Sequence, residues 1–500
     1  MSTGIRGEAP GTDTIPGVKE IADRHWRMLI GGRLTDAASG ATLDVVNPAD
    51  ASTIGRFPQG DASDVDAAVD AARTAAPGWA AMSITDRARV LREFADAIEA
   101  NGTELAWIDT MDYGSPVTMM RNDVRIAVAQ LRYFAGLALQ LRGETIPMAD
   151  RNAMDFTLRD PFGVVGRIVP FNHPLMFAAA RIAAPLLAGN SVVLKPAEAT
   201  SLSALRLGEL AADIVPAGVL NVVTGLGGVA GDRLVTHPDV PRIAFTGSDT
   251  VGRGIQARAA STAVKKVTLE LGGKNPLIVF ADADPDEAAD GAVRGMNFTW
   301  QGQSCGSTSR LLVHRSVYDR VVGEVGRRMD RIRMGDPRLP DTEMGPLASA
   351  NQYRKVTGYV RAGLADPALE LITGGKIPDG PGFFVPPTLF SAPAGATGPL
   401  FSEEIFGPVL VAAPFDSYDE AIAQANALPY GLTAAVWTTS LRTAMAAARD
   451  LRTGYLWVNS SAAHLPGTAF GGVKNSGVGR EEGIEELLEY TQPKNVYLRF

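Results

Sequence analysis

Cys305 is the only cysteine in a chain of 500 residues, and it stands in Gln301-Gly302-Gln303-Ser304-Cys305-Gly306. A lone thiol between glycines suits a nucleophile that a substrate must approach closely along the backbone. Gln303, Ser304 and Ser307 predict that it opens a helix, where the dipole and free N–H groups would lower its pKa. Glu270 closes the apolar run Val267-Thr268-Leu269 and precedes Leu271-Gly272-Gly273-Lys274. A carboxylate at such a strand end, flanked by apolar residues, can have a raised pKa and serve as a base. In Pro170-Phe171-Asn172-His173-Pro174 an amide is bracketed by prolines. A positioned amide can stabilise an oxyanion, an effect of about 3 kcal/mol in comparable sites. Each residue has a plainer reading: a small buried hydrophobe for Cys305, a cap or surface ion pair for Glu270, a turn for Asn172. Together they point to covalent chemistry on a carbonyl.

Three further segments read as nucleotide contacts. Gly225-Leu226-Gly227-Gly228-Val229-Ala230 fits a GxGxxA turn between strand and helix, although no acidic residue follows at the usual distance. Phe245-Thr246-Gly247-Ser248-Asp249-Thr250-Val251-Gly252 joins another strand to a helix whose N-terminus could seat a pyrophosphate. Lys195 and Glu198, in Val193-Leu194-Lys195-Pro196-Ala197-Glu198, could hold ribose hydroxyls. A carboxylate there selects NAD over NADP, whose 2′-phosphate it would repel.

Positioning these groups requires a scaffold of alternating strands and helices. Strands are expected near Ser191–Lys195, Leu220–Val223, Arg242–Phe245 and Lys266–Glu270, and a second alternation runs from Pro276-Leu277-Ile278-Val279-Phe280 to about Val458. The pattern predicts an α/β fold of two doubly wound domains in series. Upstream, Asp64 and Thr85 are expected to cap helices, and a further helix should cover Val117 to Leu141. Met154, Phe156 and Leu158 alternate with polar residues and turn through Asp160-Pro161-Phe162-Gly163 into Val164–Val169, a hairpin-like arm. The C-terminal alternation of Val496, Leu498 and Phe500 reads as a strand in need of an edge, for which the arm of a neighbouring subunit is one candidate.

Bulk properties narrow the classes. A formal charge of −8 disfavours a nucleic-acid or acidic-membrane binder. A single cysteine forbids an intrachain disulfide, and five scattered histidines give no metal spacing, so a metal-free protein of a reducing compartment, the cytoplasm, is expected. The apolar stretch from Pro174 to Leu194 is broken by Arg181, Pro185 and Asn190 and reads as a buried helix plus strand. Residues 1–25, polar with Gly and Pro towards the start, are expected to form a flexible tail.

Taken in order, PFNHP at Pro170–Pro174, KPAE at Lys195–Glu198, FTGS at Phe245–Ser248, ELGGK at Glu270–Lys274, GQSC at Gly302–Cys305, EEIFGPV at Glu403–Val409 and FGGVKNSGVGREEG at Phe470–Gly483 resemble the NAD(P)-dependent aldehyde dehydrogenase superfamily. The resemblance implies Cys305 as nucleophile, Glu270 as the base for a deacylating water, and Asn172 as the oxyanion-hole amide. It further implies Lys195, Glu198, Gly225, Gly247, Ser248, Glu404, Phe406 and Phe171 around NAD, with NADP the less favoured cofactor. His173, His464, Leu465 and Phe470 would line the substrate pocket. The implied domains are a Rossmann-like NAD-binding domain (26–142 and 161–271), a catalytic domain (272–473) and a small β oligomerisation arm with the C-terminal segment (143–160 and 474–500), in a homodimer or homotetramer. The family often carries Trp before the oxyanion Asn and an aromatic after it; here Phe171 and His173 stand. No basic cluster occupies Ser460–Gly467, so an apolar or aromatic aldehyde is expected. An acylating, coenzyme A-dependent enzyme and a catalytically silent relative stay open as alternatives.

Overall fold

A computed structural model describes residues 18–500 and divides them mainly between two open sheets. The first has the strand order Gly477–Val478, Lys266–Glu270, Arg242–Thr246, Val164–Ile168, Ser191–Lys195, Leu220–Val222, Met28–Ile30, Arg33–Thr35. Its five middle strands are parallel, and four of them, Val164–Ile168, Ser191–Lys195, Leu220–Val222 and Arg242–Thr246, are buried throughout. Helices on both faces explain why these strands read as apolar runs without alternation.

After the edge strands Met28–Ile30 and Arg33–Thr35, the parallel part of this sheet begins in its middle, at Val164–Ile168. It winds outward through Ser191–Lys195 and Leu220–Val222, then crosses back to Arg242–Thr246 and Lys266–Glu270 on the other side. The direction of winding therefore reverses between Val164–Ile168 and Arg242–Thr246, and a crevice opens at the carboxyl ends of strands at such a point. Register puts the ends level: Ile168 pairs with Lys195 and with Phe245, and Thr246 pairs with Glu270. The segments that follow, Val169–Asn172 and Gly247–Ser248, begin at that rim.

The second sheet has the order Glu370–Thr373, Thr388–Ser391, Val409–Phe415, Arg310–His314, Pro276–Val279, Thr433–Trp437, Tyr455–Val458, and only its first strand is antiparallel. Here the residues of interest precede their strands: Cys305 comes before Arg310–His314, and Glu404 and Phe406 before Val409–Phe415. The amino ends of this sheet thus supply what the carboxyl ends of the other lack.

Several local expectations change. Asp61, not Asp64, caps the helix Ala62–Ala81; Asp64 is the reciprocal acceptor of a capping box, bonding the Asp61 N–H. Ser83 rather than Thr85 caps Ile84–Ala100, with its hydroxyl accepting from the Asp86 N–H. The helix from Val117 ends at Gly136, a poor helix former, and continues only as a tight turn over Ala138–Gln140. Val18–Asp23 forms a short helix with Ile21 buried, so the tail does not reach residue 25, and its remainder lies outside the described residues. The Pro174–Leu194 stretch is a helix, Pro174–Leu187, followed by a strand; among the described residues no helix is long and apolar enough to cross a membrane.

The arm is not a hairpin with Val164–Ile168. The Asn190 side-chain oxygen accepts from the Phe162 and Gly163 N–H groups and steers the chain into the first sheet. Ala153–Pro161 pairs instead with Thr491–Arg499 of the same chain, Val496 opposite Phe156, and with Thr145–Ile146. The terminal strand therefore finds its edge within its own subunit. Earlier in the C-terminal segment, Gly477–Val478 forms the edge of the first sheet beside Leu269 and Glu270.

Candidate active site

Cys305 is half-buried on a turn, with no helix after it, contrary to the expectation of a helix N-terminus. The loop is held from several sides. The Asn275 side-chain amide donates to the Cys305 carbonyl at 2.7 Å and to the Ser307 carbonyl at 3.0 Å. Gln301 donates to the Ser115 hydroxyl and Gln303 to the Tyr113 hydroxyl. Gly302 has φ +67° and lies against the Gly407 carbonyl, where a Cβ would overlap it. Without a helix dipole, burial governs the thiol, and with the Glu404 and Glu270 carboxylates nearby its pKa is pushed up to about 12.

Glu270 ends its strand 5 % exposed, and among the described residues neither carboxylate oxygen has a hydrogen-bond partner. Burial, reinforced by the Glu481 carboxylate, holds its pKa well above the usual range. Beside it, Glu481 accepts from Arg167 at 2.5 Å and pairs with Arg181 at 2.9 Å, while Arg181 also donates to Glu482 at 2.9 Å. For both Glu270 and Cys305 the largest cause of the upward shift is the removal of water.

Two cavities meet at this pair. The larger, about 650 Å³, runs over the carboxyl ends of the first sheet and is lined by Phe171, Asn172, Lys195, Glu198, Gly247, Ser248, Glu404 and Phe406 among others. The smaller, about 500 Å³, opens on the other side and is lined by His173, Trp300, His464 and Phe470 with parts of the Val117–Gly136 helix. Cys305, Glu270, Phe177 and Thr246 line both. Asn172 is 2 % exposed, and its amide makes no hydrogen bond among the described residues.

A family model for aldehyde dehydrogenases matches residues 34–496. The chain belongs to the aldehyde dehydrogenase family. It is similar to the phenylacetaldehyde dehydrogenase of Pseudomonas fluorescens, at 42% identity over 97% of this chain and 98% of the relative. It superposes on the NAD-dependent aldehyde dehydrogenase of Sinorhizobium meliloti with TM-score 0.94 at 41% identity, covering 98% and 97% of the two chains. The NAD+ complex of an aldehyde dehydrogenase from Bacillus cereus gives TM-score 0.93 at 37% identity over 100% of both chains. It is an enzyme of aldehyde oxidation with an NAD(P)-type cofactor.

The residues of the larger cavity fit a dinucleotide. Lys195 is 2 % exposed and donates to Glu198 at 3.2 Å, putting a cation and a carboxylate where a ribose could bridge them. Ser248 caps the helix Asp249–Ala259, whose N-terminus faces the cavity. At the other end the Glu404 carboxylate accepts from the Gly273 N–H at 3.0 Å, and burial raises its pKa. Phe406, at φ +57°, sets its ring edge-to-face with Phe171 at 5.6 Å. Gly227, Gly228 and Gly231 line the wall, with open space over Gly228.

Two expected residues fall elsewhere. Gly225 does not line the cavity; it packs on the Gly60 carbonyl at φ +132°, leaving the lining to the glycines after it. Leu465 is 63 % exposed and points away from the smaller cavity, whose lining takes Ala462, Ala463, His464 and Pro466 from that loop. Sequence reading missed Trp300, Phe177 and the helix residues Asp123, Arg125 and Gln130, all of which line the smaller cavity. It also looked for basic residues only in the loop. Arg125 stands at this cavity on an exposed position, and Arg181 inside it is engaged by glutamates. Trp300 lies five residues before Cys305 and could have been found from that spacing; helix residues so far upstream carry no such signal.

Proposed function

We propose that this enzyme oxidises an aromatic aldehyde to its carboxylic acid, with NAD preferred over NADP and with water as the acyl acceptor. The observation that carries the reading is the meeting of both cavities at Cys305 and Glu270. Aldehyde enters from the smaller cavity, and Cys305, releasing its thiol proton to solvent, adds as the thiolate to the carbonyl carbon to form a thiohemiacetal. The side-chain amide of Asn172 donates to the resulting oxyanion. A bound dinucleotide would supply the hydride acceptor that lets this adduct become a thioester. Glu270 takes a proton from water, which attacks the thioester, releases the acid and returns the thiol. Lys195 and Glu198 would hold one ribose and Glu404 the other. The Glu198 carboxylate supports NAD, because a 2′-phosphate there would meet like charge.

The aromatic preference rests on Phe177, Trp300, Phe470 and Met176 around the smaller cavity and on likeness to a phenylacetaldehyde dehydrogenase. The Glu270 base supports hydrolysis over transfer to coenzyme A. Exposed Met154, Leu158, Tyr497, Leu498 and Phe500 on the arm support a homodimer or homotetramer, and a single free thiol suits the cytoplasm. Cys305→Ala tests the core of the proposal. It should bind NAD+ yet form no NADH from phenylacetaldehyde, whereas retained turnover would remove Cys305 from the mechanism.

A further inference from the structure

Asp123 is fully buried on the Val117–Gly136 helix, and one of its carboxylate oxygens lies 2.8 Å from Nδ1 of His173. A carboxylate in that place takes the proton-bearing nitrogen, so the neutral imidazole keeps its proton on Nδ1 and leaves Nε2 as an acceptor. The ring is fixed further by Trp300, at 5.2 Å between centroids, and by Phe177, edge-on at 5.6 Å. Nε2 has no partner among the described residues, and it is not among the polar atoms sealed from solvent. His173 lines the smaller cavity, so this acceptor is offered to whatever fills it.

We propose that His173 is a specificity-determining residue that accepts a hydrogen bond from a hydroxyl on the aromatic ring of the aldehyde. The substrate class is therefore ring-hydroxylated aryl aldehydes, an inference that rests on the aromatic aldehyde reading above. The cavity favours a neutral donor over an anion. Asp123, Glu481 and Glu482 all line it, and Arg181 is held by the two glutamates, leaving Arg125 at an exposed position as the remaining cation. His464 also lines this cavity. Its Nδ1 lies 3.6 Å from Glu482, its ring packs on Phe470 at 4.9 Å, and its Nε2 faces Gly306 beside the nucleophile. A phenylalanine at position 173 would keep the packing and offer no acceptor.

The test compares kcat/KM for 4-hydroxy- and 3-hydroxyphenylacetaldehyde with that for phenylacetaldehyde, in the wild-type enzyme, His173→Phe and Asp123→Asn. The wild type should favour at least one hydroxylated ring by about tenfold or more, carried mainly by KM. His173→Phe should bring the ratio near one while NAD+ titration shows an intact dinucleotide site. Asp123→Asn, which frees the tautomer, should also lower it. A wild-type ratio of one with the plain ring turned over would overturn the inference and leave the aromatic aldehyde reading standing. Turnover of no aryl aldehyde would instead defeat that reading. A preference for carboxylated aldehydes that Arg125→Ala abolishes would overturn the inference in favour of ion pairing.

Discussion

Replacing Glu270 by glutamine should separate two properties that the buried carboxylate joins. Among the described residues both its oxygens lack partners, so the isosteric amide breaks no hydrogen bond there. Loss of a general base of this kind costs about 10²–10⁴ in rate, here confined to deacylation. Rapid mixing of Glu270→Gln with phenylacetaldehyde and NAD+ should give an NADH burst of about one equivalent per site, followed by slow turnover. Stability should move the other way. The folded pKa of Glu270 is raised by burial, so between the unfolded value near 4.5 and the folded one the native state holds more protons. Rising pH therefore lowers wild-type stability across that window, by at most about 1.4 kcal/mol per pH unit. Glutamine has no such dependence. The stability gain of the variant should be small near pH 5 and grow toward pH 8, read as the difference in midpoint by differential scanning fluorimetry. A variant that turns over at the wild-type rate, or whose stability gain shrinks as pH rises, would refute the reasoning.

Gly272 packs directly on the Glu404 carboxylate, and a Cβ there would overlap it; Gly272→Ala should raise KM for NAD+ by about tenfold or more, from a clash of about 1–3 kcal/mol. Unchanged NAD+ kinetics would remove Glu404 from the cofactor site. Arg181→Leu leaves the buried Glu481 and Glu482 without their shared cation, a loss of about 3–5 kcal/mol. Its thermal midpoint should fall by several degrees, and a midpoint within one degree of wild type would mean that the ion pairs contribute little.

The sequence by itself determined the chemistry on offer: one thiol between glycines, a carboxylate closing an apolar strand, an amide between prolines, and the α/β alternation that carries them. Those signals are local, since strand ends, turns and caps are specified by neighbours within a few residues. Even so, two aspartates of one capping box exchanged roles, because Asp61 and Asp64 both serve the same helix start and composition cannot rank them. The environment of each group was decided only by tertiary structure. Cys305 has a raised pKa because the turn that carries it is buried beside Glu404 and Glu270, which approach from other parts of the chain. Part of the wall of the smaller cavity comes from Asp123, Arg125 and Gln130, far upstream of Cys305 in a helix that reads as ordinary scaffold. The terminal strand pairs within its own subunit because a distant edge, Ala153–Pro161, is held beside it. Burial and long-range pairing are properties of the folded whole, so no window of sequence contains them.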